Sequence, residues 1–304
     1  MKDDIMCRNE NDHSNSDASL NGKPVYEKNK TVLFLSMPKC GTRTFVWTAF
    51  SLQQIHYFGP PVNVEYMLGN NEEDKVKNQL LSYIRGASPG AIVHGHYRYI
   101  PFYRPERKPV YMSMIRDPVG RFESFFYFMR HGDQDMSREK LLASLAKHRA
   151  GPDETLDDCV EKNRSDCSDF LNMNMYVTSF CGYRLKCSQD PEYAFKRAKR
   201  NIEKFIVVGL VEDYDLTLRV FEKLLPATFG EAAKIYSDAK ARFLARSKTS
   251  YKKASSPSTY AVLKERMKYD YMFYEYVKQR FYNVAGRLGL GPCAEPSRIT
   301  HDPT

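Results

Sequence analysis

The chain of 304 residues sets 46 Lys and Arg against 37 Asp and Glu, a formal charge of +9, and is 42% hydrophobic. That is enough apolar material for one large α/β domain or two small ones, and the positive surplus favours polyanionic partners in contacts that weaken as salt rises. Charge alone leaves nucleic acid, acidic polysaccharide and an anionic membrane surface open, but a single Trp and scattered aromatics without a base-stacking motif point away from nucleic acid.

In chain order, residues 1–28 are dominated by Asn, Asp, Ser and Lys and are expected to form a disordered arm. Residues 29–290 are expected to form a single domain, and 291–304 a flexible tail. No run reaches the roughly 18 apolar residues that span a bilayer, and no charged-then-apolar leader opens the chain, so it reads as soluble.

The first element is an apolar run at 31–37 that breaks into Pro38, Lys39, Cys40, Gly41, Thr42, Arg43 and Thr44, and then continues as a helix-like segment. A strand that passes through such a loop into a helix makes an anion cradle, because the first amides of the helix are unpaired and carry the positive end of its dipole. Lys39 stands beside that cradle, and the hydroxyls of Thr42 and Thr44 can add hydrogen bonds. A nucleotide-hydrolysing loop of the form G-x-x-x-x-G-K-[ST] would need Gly at Ser36, Lys at Thr42 and Ser or Thr at Arg43; only Gly41 fits. An anion site without the metal-binding hydroxyl after its Lys suits a nucleotide whose reaction needs no metal.

Residues 91–102 read as a strand running out into a loop, with His94 and His96 on one side of the extended chain. One imidazole at a strand end can take a proton from an attacking hydroxyl. A structural histidine and a His-x-His metal chelate are the alternatives, though no third ligand is evident nearby. The basic positions Arg98, Arg104, Arg107 and Lys108 follow, either as a polyanion-attracting surface or as a solvated loop.

A second buried strand at 109–115 leads to Arg116, with Asp117 as helix N-cap and Pro118 in the first turn. Arg116 thus sits at a strand's carboxyl end, where open α/β sheets place their ligands, and Arg grips phosphate with two parallel hydrogen bonds. Ser124 lies further along that helix. Pairing of Arg116 with Asp117 or another carboxylate is the competing reading. The run at 205–211 is a third strand, so the expected class is α/β, with a central, mostly parallel sheet flanked by helices.

Cys159 and Cys167, and Cys181 and Cys187, bracket two short loops that local disulfides could close; neither has zinc-site spacing, and four free thiols are the alternative. Oxidised pairs would place maturation in a secretory compartment. Asn29 and Asn163 fall in glycosylation acceptor patterns. Near the end, Tyr260, Leu263, Met267, Tyr271, Tyr274, Val277 and Phe281 recur at steps of three and four, the apolar stripe of one helix docked on the core.

With these motifs in view, residues 31–290 resemble the glycosaminoglycan uronyl 2-O-sulfotransferases, and the segments around Lys252, Lys253 and 266–281 resemble their uronyl 2-sulfotransferase branch. The resemblance implies a P-loop-like sulfotransferase fold. It makes 38–44 the loop for the 5′-phosphosulfate of 3′-phosphoadenosine 5′-phosphosulfate and 115–124 the 3′-phosphate motif. It places the catalytic base on His96 with His94 as its neighbour, and Lys248 and Thr249 in a loop over the nucleotide. It pairs Cys159 with Cys167 and Cys181 with Cys187, and implies a glycosaminoglycan substrate, no metal and residence in the Golgi lumen. Members of the family carry an amino-terminal membrane anchor that is not visible in this chain, and oligomerisation is left open. A nucleotide kinase or hydrolase and a catalytically silent polyanion-binding protein are the rival functions.

Overall fold

The computed structural model describes residues 30–64, 73–88, 90–102, 109–133 and 153–290, with single positions between 137 and 151. Five strands, β1 (Val32–Ser36), β2 (Val62–Val64), β3 (Ile92–Gly95), β4 (Val110–Ile115) and β5 (Phe205–Leu210), make one sheet in the order β2-β3-β1-β4-β5. Every pairing is parallel. β1 is buried throughout, as a central strand covered on both faces requires, and its apolar run follows from that burial. The chain leaves β1 toward β2 and β3 on one side and then places β4 and β5 on the other. The order of the strands therefore reverses between β1 and β4, which makes the crevice outside their carboxyl ends the natural ligand site. β2 was not anticipated: three residues are too short a run to register as a strand.

The helices in chain order are α1 (Thr42–His56), α2 (Glu73–Gly86), α3 (Pro118–His131), α4 (Leu156–Glu161), α5 (Phe170–Met173), α6 (Met175–Cys181), α7 (Pro191–Ile202), α8 (Tyr214–Leu224), α9 (Pro226–Phe229), α10 (Ala232–Ser247), α11 (Pro257–Arg266) and α12 (Lys268–Arg287). α1 docks on the sheet through Phe45, stacked 3.7 Å from Phe34 of β1. On the β5 side, Phe180 of α6 packs 5.2 Å from Phe205 and 4.9 Å from Phe273 of α12. Among the described residues no helix is long and apolar enough to cross a membrane.

The carboxy-terminal stripe belongs to two helices, not one. The chain turns at Met267, whose φ of −97° and ψ of 21° leave the helical region, so that Leu263 and Met267 join a satellite core while Phe273, Tyr274, Val277 and Phe281 face the main one. Tyr260 does not pack; it is exposed, with its hydroxyl 3.1 Å from that of Tyr271.

The satellite core packs Val119, Phe122 and Phe126 of α3 against Leu156, Cys159, Cys167 and Leu263. Both cysteine pairs are disulfides, Cys159–Cys167 and Cys181–Cys187. Asp166, inside the first disulfide loop, accepts a 2.9 Å hydrogen bond from Arg130, whose guanidinium lies 3.5 Å over the Phe126 ring. The disulfide thus fixes the outer wall against which α3 rests. Closing so short a loop limits mainly the unfolded chain, so a Cys159→Ala, Cys167→Ala variant should lose about 2–3 kcal/mol in urea unfolding; an unchanged midpoint would show that packing alone closes the loop.

Candidate active site

β1 ends at Ser36, and the turn that follows carries two left-handed residues, Lys39 at φ 65° and Gly41 at φ 73°. Gly41 is required twice over: a side chain disfavours that φ, and a Cβ there would lie 3.0 Å from Cε2 of Tyr214. Lys39 tolerates the same region at a cost of about 1–2 kcal/mol. The turn is tied by Cys40 N donating to Met37 O at 3.2 Å and the Thr42 hydroxyl donating to the same carbonyl at 3.3 Å. α1 then starts on Gly41 with no side-chain cap and no acidic residue in its first turn, which leaves its leading amides available to an anion. Thr44 is buried inside the helix, and its backbone carbonyl accepts from Thr48.

Lys39 reaches across the crevice to α3, where its ammonium sits 3.9 Å from the centroid of the Phe128 ring. Burial lowers its pKa to about 8; Asp133 opposes the shift, and the positive charges of Arg43, Arg116 and Lys252 add to it. These four cations therefore act on one small volume. Arg43 is held by a 2.6 Å ion pair with the buried Asp133, and Lys252 lies 3.4 Å from Glu123.

On the other side of the crevice, Asp117 caps α3 by accepting from Gly120 N at 2.7 Å, and its second oxygen accepts from the Tyr271 hydroxyl at 2.9 Å. Its carboxylate is thus spent on the helix and on Tyr271. Among the described residues no carboxylate pairs with the Arg116 guanidinium, in contrast to the pairing that an isolated Arg-Asp-Pro would suggest.

The segment after α10 laces back along α3. The hydroxyls of Ser124 and Thr249 lie 3.2 Å apart in a buried contact, Ser250 N donates to Gly132 O at 3.2 Å, and Ser255 donates to Glu123 through both N (3.0 Å) and Oγ (2.6 Å). The structure brings Thr249 and Lys252 to the crevice wall. Lys248 and Lys253 are exposed on the same segment.

β3 pairs with β1 so that His94 lies beside Phe34 and Gly95 beside Leu35. His96, one residue past the strand, places Nδ1 2.9 Å from the carbonyl oxygen of Ser36. A carbonyl only accepts, so Nδ1 carries the proton and Nε2 is the basic nitrogen. Burial lowers the His96 pKa, partly offset by that hydrogen bond. His94 is buried, and burial together with the neighbouring His96 pushes it down to about 4.

Arg98 differs from the expectation of a surface cation. Past His96 the chain turns back over the sheet, with Tyr99 packed 5.2 Å from Tyr111 and 5.6 Å from Phe205 near the opposite strand ends. That path buries Arg98, which donates to Ser188 Oγ at 2.8 Å and stacks 5.7 Å from the Tyr183 ring, so it braces the Cys181–Cys187 loop. Arg104, Arg107 and Lys108 lie outside the described residues. Asp133, Glu123, Phe128 and Tyr176 complete the site and were not anticipated; each acts through a contact with a distant part of the chain.

A positively charged crevice at the strand-order reversal, opened by an uncapped helix and carrying a histidine beside it, sits on an α/β fold with a parallel central sheet. The sulfotransferase family model matches residues 24–277, and the chain belongs to that family. It is 30% identical over 265 residues to human uronyl 2-sulfotransferase, an alignment covering 85% of this chain and 64% of that protein. Against mouse uronyl 2-sulfotransferase the identity is 30% over 276 residues (87% and 67%), and against human heparan sulfate 2-O-sulfotransferase 1 it is 27% over 289 residues (91% and 77%). The chain spans about two thirds of the length of the two uronyl 2-sulfotransferases.

Because burial destabilises the imidazolium, His96 should titrate below the ordinary histidine value of 6.5 and keep its proton on Nδ1 when neutral. Long-range nitrogen–proton NMR correlations across a pH series report both; a midpoint at or above that value would contradict the buried placement.

Proposed function

We propose that the chain transfers a sulfuryl group from 3′-phosphoadenosine 5′-phosphosulfate to the 2-hydroxyl of a uronic acid in a glycosaminoglycan. The observation that carries this reading is that the charge of Arg116, past β4, acts on the buried Lys39 ammonium in the turn after β1, while His96, past β3, hydrogen-bonds the carbonyl of Ser36 at the end of that same strand. The residues present suit the donor. The uncapped amides of α1 and the depressed pKa of Lys39 both call for an anion, and Arg116 has no carboxylate partner among the described residues.

In this reading Lys39 and the loop from Cys40 to Thr44 hold the 5′ end, while Arg116 and Ser124 hold the 3′-phosphate. Thr249 and Lys252, with Lys248 and Lys253, border the nucleotide. When bound, the donor supplies a sulfuryl group on a phosphate leaving group. His96 Nε2 takes the proton of the attacking sugar hydroxyl, with Nδ1–H anchored on Ser36 O. Lys39 neutralises the charge that grows on the departing phosphate oxygen. His94 borders the sugar side. The relatives' names, uronyl 2-sulfotransferase and heparan sulfate 2-O-sulfotransferase, support a uronic acid acceptor. The +9 charge supports an acidic polymer, and the two disulfides support maturation in the secretory pathway, with the Golgi lumen as the site of action.

Incubating the chain with ³⁵S-labelled donor and separately purified heparan, dermatan and chondroitin sulfates, followed by disaccharide analysis, tests the reading; label absent from the uronic acid 2-position overturns it. His96→Ala should abolish turnover and leave nucleotide affinity within twofold. Lys39→Ala should lower kcat at least about 100-fold, the loss of about 3 kcal/mol expected when one charge-stabilising donor is removed; an unchanged rate would refute its role at the leaving oxygen.

A further inference from the structure

The two anion-binding turns are joined by a side chain that neither of them contains. Tyr176, in α6, is fully buried. Its hydroxyl donates to the carbonyl of Arg116 at 2.7 Å and accepts from the backbone N–H of the same residue at 3.1 Å. The same oxygen lies 3.3 Å from Sγ of Cys40, in the turn after β1. One phenol therefore touches the backbone that aims the Arg116 guanidinium and the loop that carries Lys39. Its own backbone is held in turn: Asp270 of α12, also fully buried, accepts from Tyr176 N at 3.0 Å and Val177 N at 2.9 Å. The Arg121 guanidinium lies 5.7 Å from the Tyr176 ring.

We propose that Tyr176 is a positioning residue that fixes the separation between the two anion grips, so that a nucleotide with phosphates at both its 3′ and 5′ positions is bound as a chelate. This inference rests on the nucleotide reading above and deepens it. The physical basis is effective concentration: once one phosphate is seated, the second finds its grip only if the two turns stand at the right spacing. β1 and β4 are hydrogen-bonded neighbours as far as Ser36 and Met114, and β4 pairs with β5 one residue further, at Ile115; beyond Ser36 and Ile115 the turns leave the sheet. There the Tyr176 hydroxyl takes over the cross-link. Being buried, it acts through Cys40 and Arg116 and not on the nucleotide itself.

The test compares the wild type with Tyr176→Phe, which removes only the hydroxyl. Calorimetry measures binding of adenosine 3′,5′-bisphosphate, adenosine 5′-monophosphate and adenosine 3′-monophosphate, and melting temperature is followed in parallel. The expected result is a loss of affinity on the order of tenfold for the bisphosphate, with each monophosphate changed less than about twofold. An equal loss for all three, or an unchanged bisphosphate affinity, overturns the inference, because a general loosening of the fold or a dispensable hydroxyl would account for those results. Should Tyr176→Phe fail to fold, Cys40→Ala serves: it leaves the Arg116 contacts in place and should show the same selective loss, smaller in size, and a uniform loss overturns the proposal. A wild-type chain that binds the bisphosphate no better than the monophosphates overturns the nucleotide reading itself, and the inference with it.

Discussion

The site is organised around an ammonium that is partly taken out of water and set among other cations. Burial and the charges of Arg43, Arg116 and Lys252 bring the Lys39 pKa from 10.5 to about 8, a cost on the order of 3 kcal/mol to its charged form. The carboxylates nearby do not cancel the surplus, since Asp133 is engaged by Arg43 and Glu123 by Lys252 and Ser255. An anion in the crevice returns the missing counter-charge and draws Lys39 back toward full protonation. The fold thereby stores in Lys39 part of the free energy that an anion bound there would release.

Such an arrangement needs rigid support, because repelling cations on flexible loops would move apart. Three devices supply it. The parallel pairing of β1 with β3 and β4 brings their carboxyl ends level. The left-handed pair Lys39 and Gly41 turns the chain sharply into α1, with Tyr214 filling the space that Gly41 leaves. α3 is held from behind by the satellite core and its disulfide, and from above by the 249–256 segment. Each device draws on residues remote from the crevice, so stability and site geometry share the same contacts.

That sharing explains what could be read from the chain alone. β1, β4 and β5 were legible as apolar runs, and the loop at 38–44 and the Asp117-Pro118 cap were legible because their chemistry is local. The carboxy-terminal stripe hid its break, since Met267 is apolar and buried whether the helix runs on or turns. Arg98 was grouped with the basic positions Arg104, Arg107 and Lys108 that follow it, whereas its environment is set by a chain reversal that sequence spacing does not encode. Tyr176 had no signal: its partners Arg116 and Cys40 lie 60 and 136 residues away. Local chemistry named the candidate residues; the long-range contacts that tie their turns together emerged only from the fold.

The placement of His96 extends the same logic to the proton. Its ring hangs from the carbonyl of Ser36, the last residue of β1, three positions before Lys39. One strand end thus orients the His96 imidazole and leads into the turn that carries the Lys39 ammonium. A displacement of that strand end would move both together, so the separation between proton acceptor and ammonium is kept even if the crevice adjusts to its ligand. The hydrogen bond does further work. It commits Nδ1 as donor and leaves Nε2 unprotonated in the neutral ring, and burial lowers the pKa below the ordinary histidine value. Desolvation lowers the pKa of the ring against the opposing pull of the Ser36 hydrogen bond, and so favours the neutral form, the one that can accept a proton.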